Sequence, residues 1–202
     1  MRRRGKLISF EGIDGSGKTT ISNMLYHKMR KQGIPIYYTF EPTYTRIGNI
    51  IHKVIRGEME ASPAFLALMF ASDRMRHFEE EIWPTIHDGT NVIVDRYVHS
   101  SIAYQGAALK DEKWVRVLNN RVPPPDLGIY IDIEPREAMK RLIEMRRVRK
   151  PTIFEKTRFL TEVRHIYETL VKGGELVEID GNGSKQEVLS RVRKIIATRL
   201  DI

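Results

Sequence analysis

Residues 7–20, LISFEGIDGSGKTT, restrict what this chain can become more than any other stretch. Leu7, Ile8 and Phe10 form a short apolar run bounded by Gly12, and a helical pattern begins near Thr19, so strand, glycine-rich loop and helix follow one another directly. Gly12, Gly17, Lys18 and Thr19 occupy the fixed positions of G-x-x-x-x-G-K-[ST], and Gly15 adds a third position without a side chain. Where side chains are absent, backbone N–H groups can converge on phosphate oxygens, and the helix start adds its positive dipole end. Gly12, Ile13, Asp14, Gly15, Ser16, Gly17, Lys18, Thr19 and Thr20 are therefore the expected cradle of a nucleoside triphosphate. Lys18 would reach the β- and γ-phosphates, and Thr19 would offer its hydroxyl to Mg²⁺.

The rest of the chain supplies the fold for that loop. The spacing of Ile21, Met24, Leu25 and Met29 continues the first helix to Gly33, and a second strand is expected at Ile36 to Phe40. Ile47 to Arg56 reads as a short helix closed by Gly57, and Ser62-Pro63 opens a long one running through Phe70 and Arg74 toward Pro84. Asn91 to Asp95 is a buried strand, followed by the polar run DRYVHSSIAYQG, to which no element is assigned. Pro123 to Pro125 lead into a fourth strand at Leu127 to Ile131, and a helix starts near Pro135. An amphipathic helix is expected over about Phe154 to Val171, a fifth strand over Leu176 to Ile179, and a last helix behind Ser184. Five short apolar strands alternating with helices predict an α/β fold: a five-stranded parallel sheet covered by helices on both faces. Ligands in such folds gather beyond the carboxyl ends of the strands, where Gly12, Glu41, Asp95 and Asp132 all fall.

At 202 residues the chain suits one well-buried domain spanning 1–202. The absence of cysteine removes disulfides and thiolate metal sites and agrees with a cytoplasmic setting. No apolar run approaches the roughly 20 residues of a membrane span. A net charge of +8 invites a nucleic-acid reading, but the excess is spread over Arg2 to Arg4, Arg146 to Lys150 and the last helix, without aromatic-studded strands to stack bases. No nucleic-acid partner is expected, and handling several small phosphates needs the same positive field. Arg2, Arg3 and Arg4 read as a solvated terminus. None of His27, His52, His77, His87, His99 and His165 is assigned to a metal.

Asp95, ending an apolar strand, stands where loop-type NTPases keep an acid for Mg²⁺; the alternative is a carboxylate that merely pairs with Arg96 or caps the next segment. With no N-K-x-D stretch for guanine, a GTPase is not expected. The runs Phe10-Glu11-Gly12-Ile13-Asp14-Gly15-Ser16-Gly17-Lys18-Thr19, Leu68 to Arg74 (LMFASDR) and Asp95 to Gln105 (DRYVHSSIAYQ) together resemble the thymidylate kinase family, in order and spacing along nearly the whole chain. The resemblance implies ATP·Mg²⁺ and dTMP as substrates, dTDP and ADP as products, and a homodimer built by helix packing. It also implies that Phe70 stacks on thymine, Arg74 donates to thymine O4, and Asp14 lies near the acceptor's 3′-hydroxyl. Arg96 then meets the monophosphate, Ser101 and Gln105 touch the base, and Tyr104 crowds the 2′ side of the sugar. Without the resemblance, Phe70 reads as core and Arg74 as a surface partner of Asp73. Glu41-Pro42 resembles the family's second-strand motif, but Thr43 to Arg46 depart from it, leaving the second phosphate contact unassigned. Asp132 reads as mainly structural. The rivals are a kinase of the same fold acting on another nucleotide or a deoxynucleoside, and an ATP-gated nucleic-acid-binding protein.

The loop interior carries no basic side chain, whereas Arg146, Arg147, Arg149 and Lys150 crowd a lid segment at about 144–153, ended as helix by Pro151. A transferring phosphoryl group needs cations, so the catalytic set expected here is Lys18, Arg96 and the lid arginines Arg146, Arg147 and Arg149.

Overall fold

A computed structural model describes residues 4–146 and 157–200, with the side chains at 145 and 146 outside the description. Five strands, β1 (Leu7–Glu11), β2 (Ile36–Phe40), β3 (Asn91–Asp95), β4 (Leu127–Asp132) and β5 (Val177–Asp180), form one parallel sheet in the order β2-β3-β1-β4-β5. Each strand is short and mostly apolar, and β1 and β3 are buried along their whole length, as strands covered on both faces must be. Alternation divides their side chains: Ile8, Phe10, Ile129 and Ile131 join one core, while Tyr130 joins the opposite one and Leu7, Val92 and Val94 a third cluster.

Helices α1 (Lys18–Lys31) and α9 (Lys185–Arg199) supply the first core through Ile21, Leu25, Val188 and Val192. The opposite core is built from α2 (Arg46–Ile55), α3 (Pro63–His77), α5 (Val98–Leu109), α6 (Glu112–Leu118), α7 (Pro135–Arg146) and α8 (Thr157–Lys172). Among the described residues no helix is long and apolar enough to cross a membrane. The helix starts follow local chemistry: Thr45, Ser62 and Asp111 accept first-turn N–H groups of α2, α3 and α6, and Ser184 with Glu187 forms a reciprocal cap on α9.

Four expectations need correction. The helix expected to run toward Pro84 continues past it: α3 passes into a π turn over Phe78–Ile82 and then α4 (Trp83–His87). The N–H of Trp83 bonds the Phe78 carbonyl, and Pro84 then sits in the first turn of α4, where its missing N–H costs nothing. The polar run after Asp95 is the helix α5, buried at every residue from His99 to Ala107. It is enclosed by neighbours on all sides, so it carries no amphipathic signature, and α6 packs beside it. Strands β4 and β5 end one residue later than expected, at Asp132 and Asp180. Arg4 is held by Asp126 in a two-pronged pair (2.6 and 2.9 Å), rather than being a merely solvated terminus; Arg2 and Arg3 lie outside the described residues.

Candidate active site

The site lies along the carboxyl ends of β1, β2 and β3. After Glu11 the chain turns through glycines with φ of +147° at Gly12, +86° at Gly15 and +93° at Gly17. A Cβ at Gly12 would stand 2.7 Å from Ser16 Oγ and 2.8 Å from the Ile131 carbonyl oxygen, and one at Gly15 would stand 2.5 Å from the Ala138 carbonyl oxygen. Both space and backbone angle therefore require glycine there. Helix α1 begins at Lys18 with no side chain capping its first N–H groups, which leaves donors open toward the loop. Ile13 is fully buried and anchors the loop in the core, whereas Thr20 is exposed at its far side.

Lys18 is 6 % exposed, with Nζ 3.7 Å from Asp14 Oδ1. Burial and the nearby Arg96 hold its pKa below the usual lysine range, against the opposing pull of Asp14, Asp95 and Glu11. The hydroxyl of Thr19 donates to Asp95 Oδ2, while Asp95 Oδ1 is buried with no hydrogen-bond partner among the described residues. Asp95 thus meets Thr19 and not Arg96. An orphaned carboxylate oxygen beside a threonine hydroxyl is a donor set suited to a hard cation such as Mg²⁺. Among the described residues no cluster of three or more His, Cys, Asp or Glu forms a self-sufficient metal site. A cation here would have to draw its other ligands from water and phosphate.

Arg96 has φ +70°, a left-handed conformation that turns its side chain back over the loop. Its guanidinium donates to the Asp14 carboxylate, to the Gly12 carbonyl (3.3 Å) and to Ser100 Oγ (3.1 Å), and lies 4.8 Å over the Tyr104 ring. The Tyr104 hydroxyl accepts the Asp14 N–H at 2.9 Å. Beneath them Glu11 accepts from the Tyr97 N–H (3.0 Å) and from Ser100. Burial pushes its carboxyl up to about 7, against the Ser100 hydrogen bond and the charges of Arg96 and Arg74.

Arg74 is 1 % exposed and is no surface partner of Asp73. Its Nε–H donates to Glu41 (2.8 Å), and Nη1 donates to Ser101 Oγ (2.9 Å) and Asn119 Oδ1 (2.5 Å). Phe70 stands one helical turn before it, partly buried against the helical core, and Gln105 is buried one turn after Ser101 on α5. Asp73 turns instead to the chain that follows β2 and fixes it, accepting from the Thr43 N–H (2.8 Å) and from the Thr43 and Thr45 hydroxyls (2.7 and 2.8 Å). Asp132 is bonded by Arg164 (2.9 Å twice) and by the Tyr130 hydroxyl (2.6 Å), outside this cluster.

Beside the loop opens a cavity of about 500 Å³, lined by Gly17, Thr20, Arg141, Glu144, Ser184 and Lys185 among others. Sequence reasoning missed it, because α7 and the turn before α9 reach the loop only through the sheet order. Glu11, Ser100 and Asn119 also had no assigned role, and Asp73 was assigned to Arg74 rather than to Thr43 and Thr45. Glu11 could have been noticed as a charge inside a buried strand, while Asn119 has no sequence signal at all. Arg147 and Arg149 lie outside the described residues, as does the side chain of Arg146.

The sequence profile described as Thymidylate kinase matches residues 10–192. A probable thymidylate kinase of Pyrobaculum calidifontis is 40% identical over 190 residues, covering 94% of each chain. Probable thymidylate kinase 1 of Saccharolobus solfataricus is 38% identical over 197 residues, covering 96% of this chain and 98% of its own. The thymidylate kinase of Leptospira interrogans is 34% identical over 195 residues, covering 96% of this chain and 94% of its own. With a phosphate loop at the head of a parallel sheet and matches along nearly its full length, the chain belongs to the thymidylate kinase family.

Proposed function

We propose that this chain transfers the γ-phosphoryl group of ATP to dTMP, giving dTDP and ADP as a step toward dTTP. The observation that carries the reading is the meeting of two anion-directed groups across one carboxylate: Asp14 lies between Lys18 of the loop and Arg96 beside Tyr104. Lys18 serves the donor's phosphates and Arg96 the acceptor's monophosphate, so the reacting oxygens are brought together by groups already gathered in one small region of the rim.

Thr19 and Asp95 are the residues that would hold Mg²⁺, directly or through its waters, and the ion when bound neutralises charge on the β- and γ-phosphates. The acceptor is already an anion, so the chain supplies no strong general base; it positions two phosphates and offsets their repulsion. Arg74, Phe70, Ser101 and Gln105 bind the thymine, and Tyr104 limits the 2′ side of the sugar. An arginine donor suits thymine O4 and opposes the N4 amino group of cytosine. The cavity beside the loop takes the base of ATP. The lid at about 144–153 contributes Arg146, Arg147 and Arg149 to the transferring group, and 1–202 acts as one kinase domain in the cytoplasm.

Phe65 and Leu68, three residues apart on α3 and 39 % and 47 % exposed, support the homodimer by giving helix packing an apolar face to cover. A coupled ADP-release assay across dTMP, dUMP, dCMP, AMP and thymidine tests the function. The highest kcat/KM is expected with dTMP; a lead for AMP or thymidine would overturn the assignment.

A further inference from the structure

The base-binding arginine does not stand alone: Glu41, which holds Arg74 Nε through Oε2, is itself held through Oε1 by His77 Nδ1 at 3.1 Å. His77 lies one turn after Arg74 on α3 and is 3 % exposed. Its other ring nitrogen is 2.8 Å from Thr39 Oγ1 and 3.3 Å from Glu81 Oε1, and Thr39 Oγ1 is 2.7 Å from that same Glu81 oxygen.

Proton accounting fixes the charge. A hydroxyl has one proton to give, and the ionised Glu81 carboxylate can only accept, so Thr39 donates to Glu81. Thr39 is then the acceptor for His77 Nε2, which must carry a proton. Nδ1 must carry one as well, because it faces Glu41. Both nitrogens are therefore donors, the imidazolium form. Burial opposes that charge, but the hydrogen bond to Glu41 and the charges of Glu41 and Glu81 outweigh it and raise the pKa of His77 above 6.5, while Thr39 and His77 hold that of Glu81 low. The groups facing the ring are Glu81 along its own helical run, Thr39 from β2 with Tyr37 behind it on Glu81, and Glu41 after β2, whose other oxygen Arg74 holds. The Glu41 charge in turn helps to raise the pKa values of Glu11 and Tyr97, on which burial is the larger cause.

We propose that His77 is a positioning residue for the nucleotide base: a charged imidazolium between Glu41 and the Thr39–Glu81 pair, it fixes the carboxylate that aims Arg74. The proposal rests on the reading of Arg74 as the group that meets thymine. Without the imidazolium, a neutral ring has one N–H for two acceptors, so the bridge between Glu41 and the Thr39–Glu81 pair opens, Glu41 and Arg74 can shift together, and recognition of the base loosens while the phosphate-handling groups stay in place. The sign of the pH effect follows: the clamp is complete below pH 6.5 and is lost as pH rises through the raised folded-state pKa.

Two measurements test this. Nitrogen-15 NMR of ring-labelled histidine in the full chain is expected to show both His77 nitrogens protonated at neutral pH; a neutral tautomer there overturns the proposal whatever the variants do. His77→Gln keeps a donor for Glu41 but carries no charge. It is expected to lower the dTMP to dCMP ratio of kcat/KM by roughly tenfold, the scale of one hydrogen bond to a charged group, mostly through KM. The acceptor phosphate titrates alike in both nucleotides and cancels in that ratio. In the unsubstituted chain the ratio should fall as pH passes the NMR midpoint of His77, and in His77→Gln it should stay flat. Arg74→Gln is assayed in parallel, below the melting temperature of each protein. If it collapses the ratio while His77→Gln leaves it unchanged, the base reading stands and the proposal fails; if Arg74→Gln itself leaves the ratio unchanged, the base reading falls and takes the proposal with it.

Discussion

Replacing Arg74 with glutamine probes stability and recognition together, because this side chain serves both. The substitution removes a guanidinium that is 1 % exposed from a carboxylate that is 4 % exposed. Breaking one partner of a buried pair typically costs about 3–5 kcal/mol, since the other charge stays in place without its counterpart. The glutamine amide can recover one hydrogen bond, to Ser101 or Asn119, worth about 1 kcal/mol. The net loss is then about 2–4 kcal/mol, enough to lower Tm by roughly 5–15 °C in a chain of this length, but within the usual stability of a folded domain. Thermal unfolding measures this, and kcat/KM for dTMP and dCMP measures recognition. Adding Glu41→Gln should restore neither stability nor the preference for dTMP, because Glu41 also holds the buried His77 imidazolium, which that change would leave without its carboxylate. A Tm within about 2 °C of the unsubstituted protein, or a double variant more stable than Arg74→Gln, would refute the energetic argument; an unchanged nucleotide ratio would refute the reading of the base.

Three further outcomes are expected. Tyr104→Ala should raise the use of ribothymidine monophosphate relative to dTMP, whereas Tyr104→Phe, which loses only the hydroxyl that accepts the Asp14 N–H, should lower kcat and leave the sugar ratio alone; equal losses for both sugars in the alanine variant would make the ring a packing residue. Arg96→Ala and Arg96→Gly both remove the guanidinium, but at φ +70° the glycine variant should be the more stable in thermal unfolding, by about 1 kcal/mol, and both should lose most activity. At least one of Arg146→Ala, Arg147→Ala and Arg149→Ala should lower kcat by about a hundredfold or more with little change in dTMP affinity; three near-normal values would send the search for that charge to Arg46 or a partner subunit.

The sheet was legible because its strands are short apolar runs closed by glycine, proline or an acid. Ile36 to Phe40 and Asn91 to Asp95 are read from sequence with the bounds they have in the fold. Helix α5 was not legible, since enclosure by α3, α6 and α8 replaces an apolar stripe with small and polar residues that find their partners inside. Pro84 misled for a local reason: a π turn resets the hydrogen-bond ladder just ahead of it. In the site, the loop and the acid ending β3 are visible in the linear order, and the sheet then sets Thr19 against Asp95. The groups that hold Arg74 are of another kind. Glu41, Ser101 and Asn119 come from three separate parts of the chain and converge only after folding, so no spacing rule connects them.

The phosphate loop is the element that passes the γ-phosphoryl group to the monophosphate of a bound thymidine nucleotide. Single-turnover transfer from ATP labelled in its γ-phosphate, with dTMP in excess, tests it most directly when run beside Lys18→Met. The label is expected in the β-phosphate of dTDP, and Lys18→Met is expected to retain less than about a tenth of the rate while unfolding as cooperatively as the unsubstituted protein. Label released as inorganic phosphate with dTMP unchanged, or transfer undiminished in Lys18→Met, would contradict it.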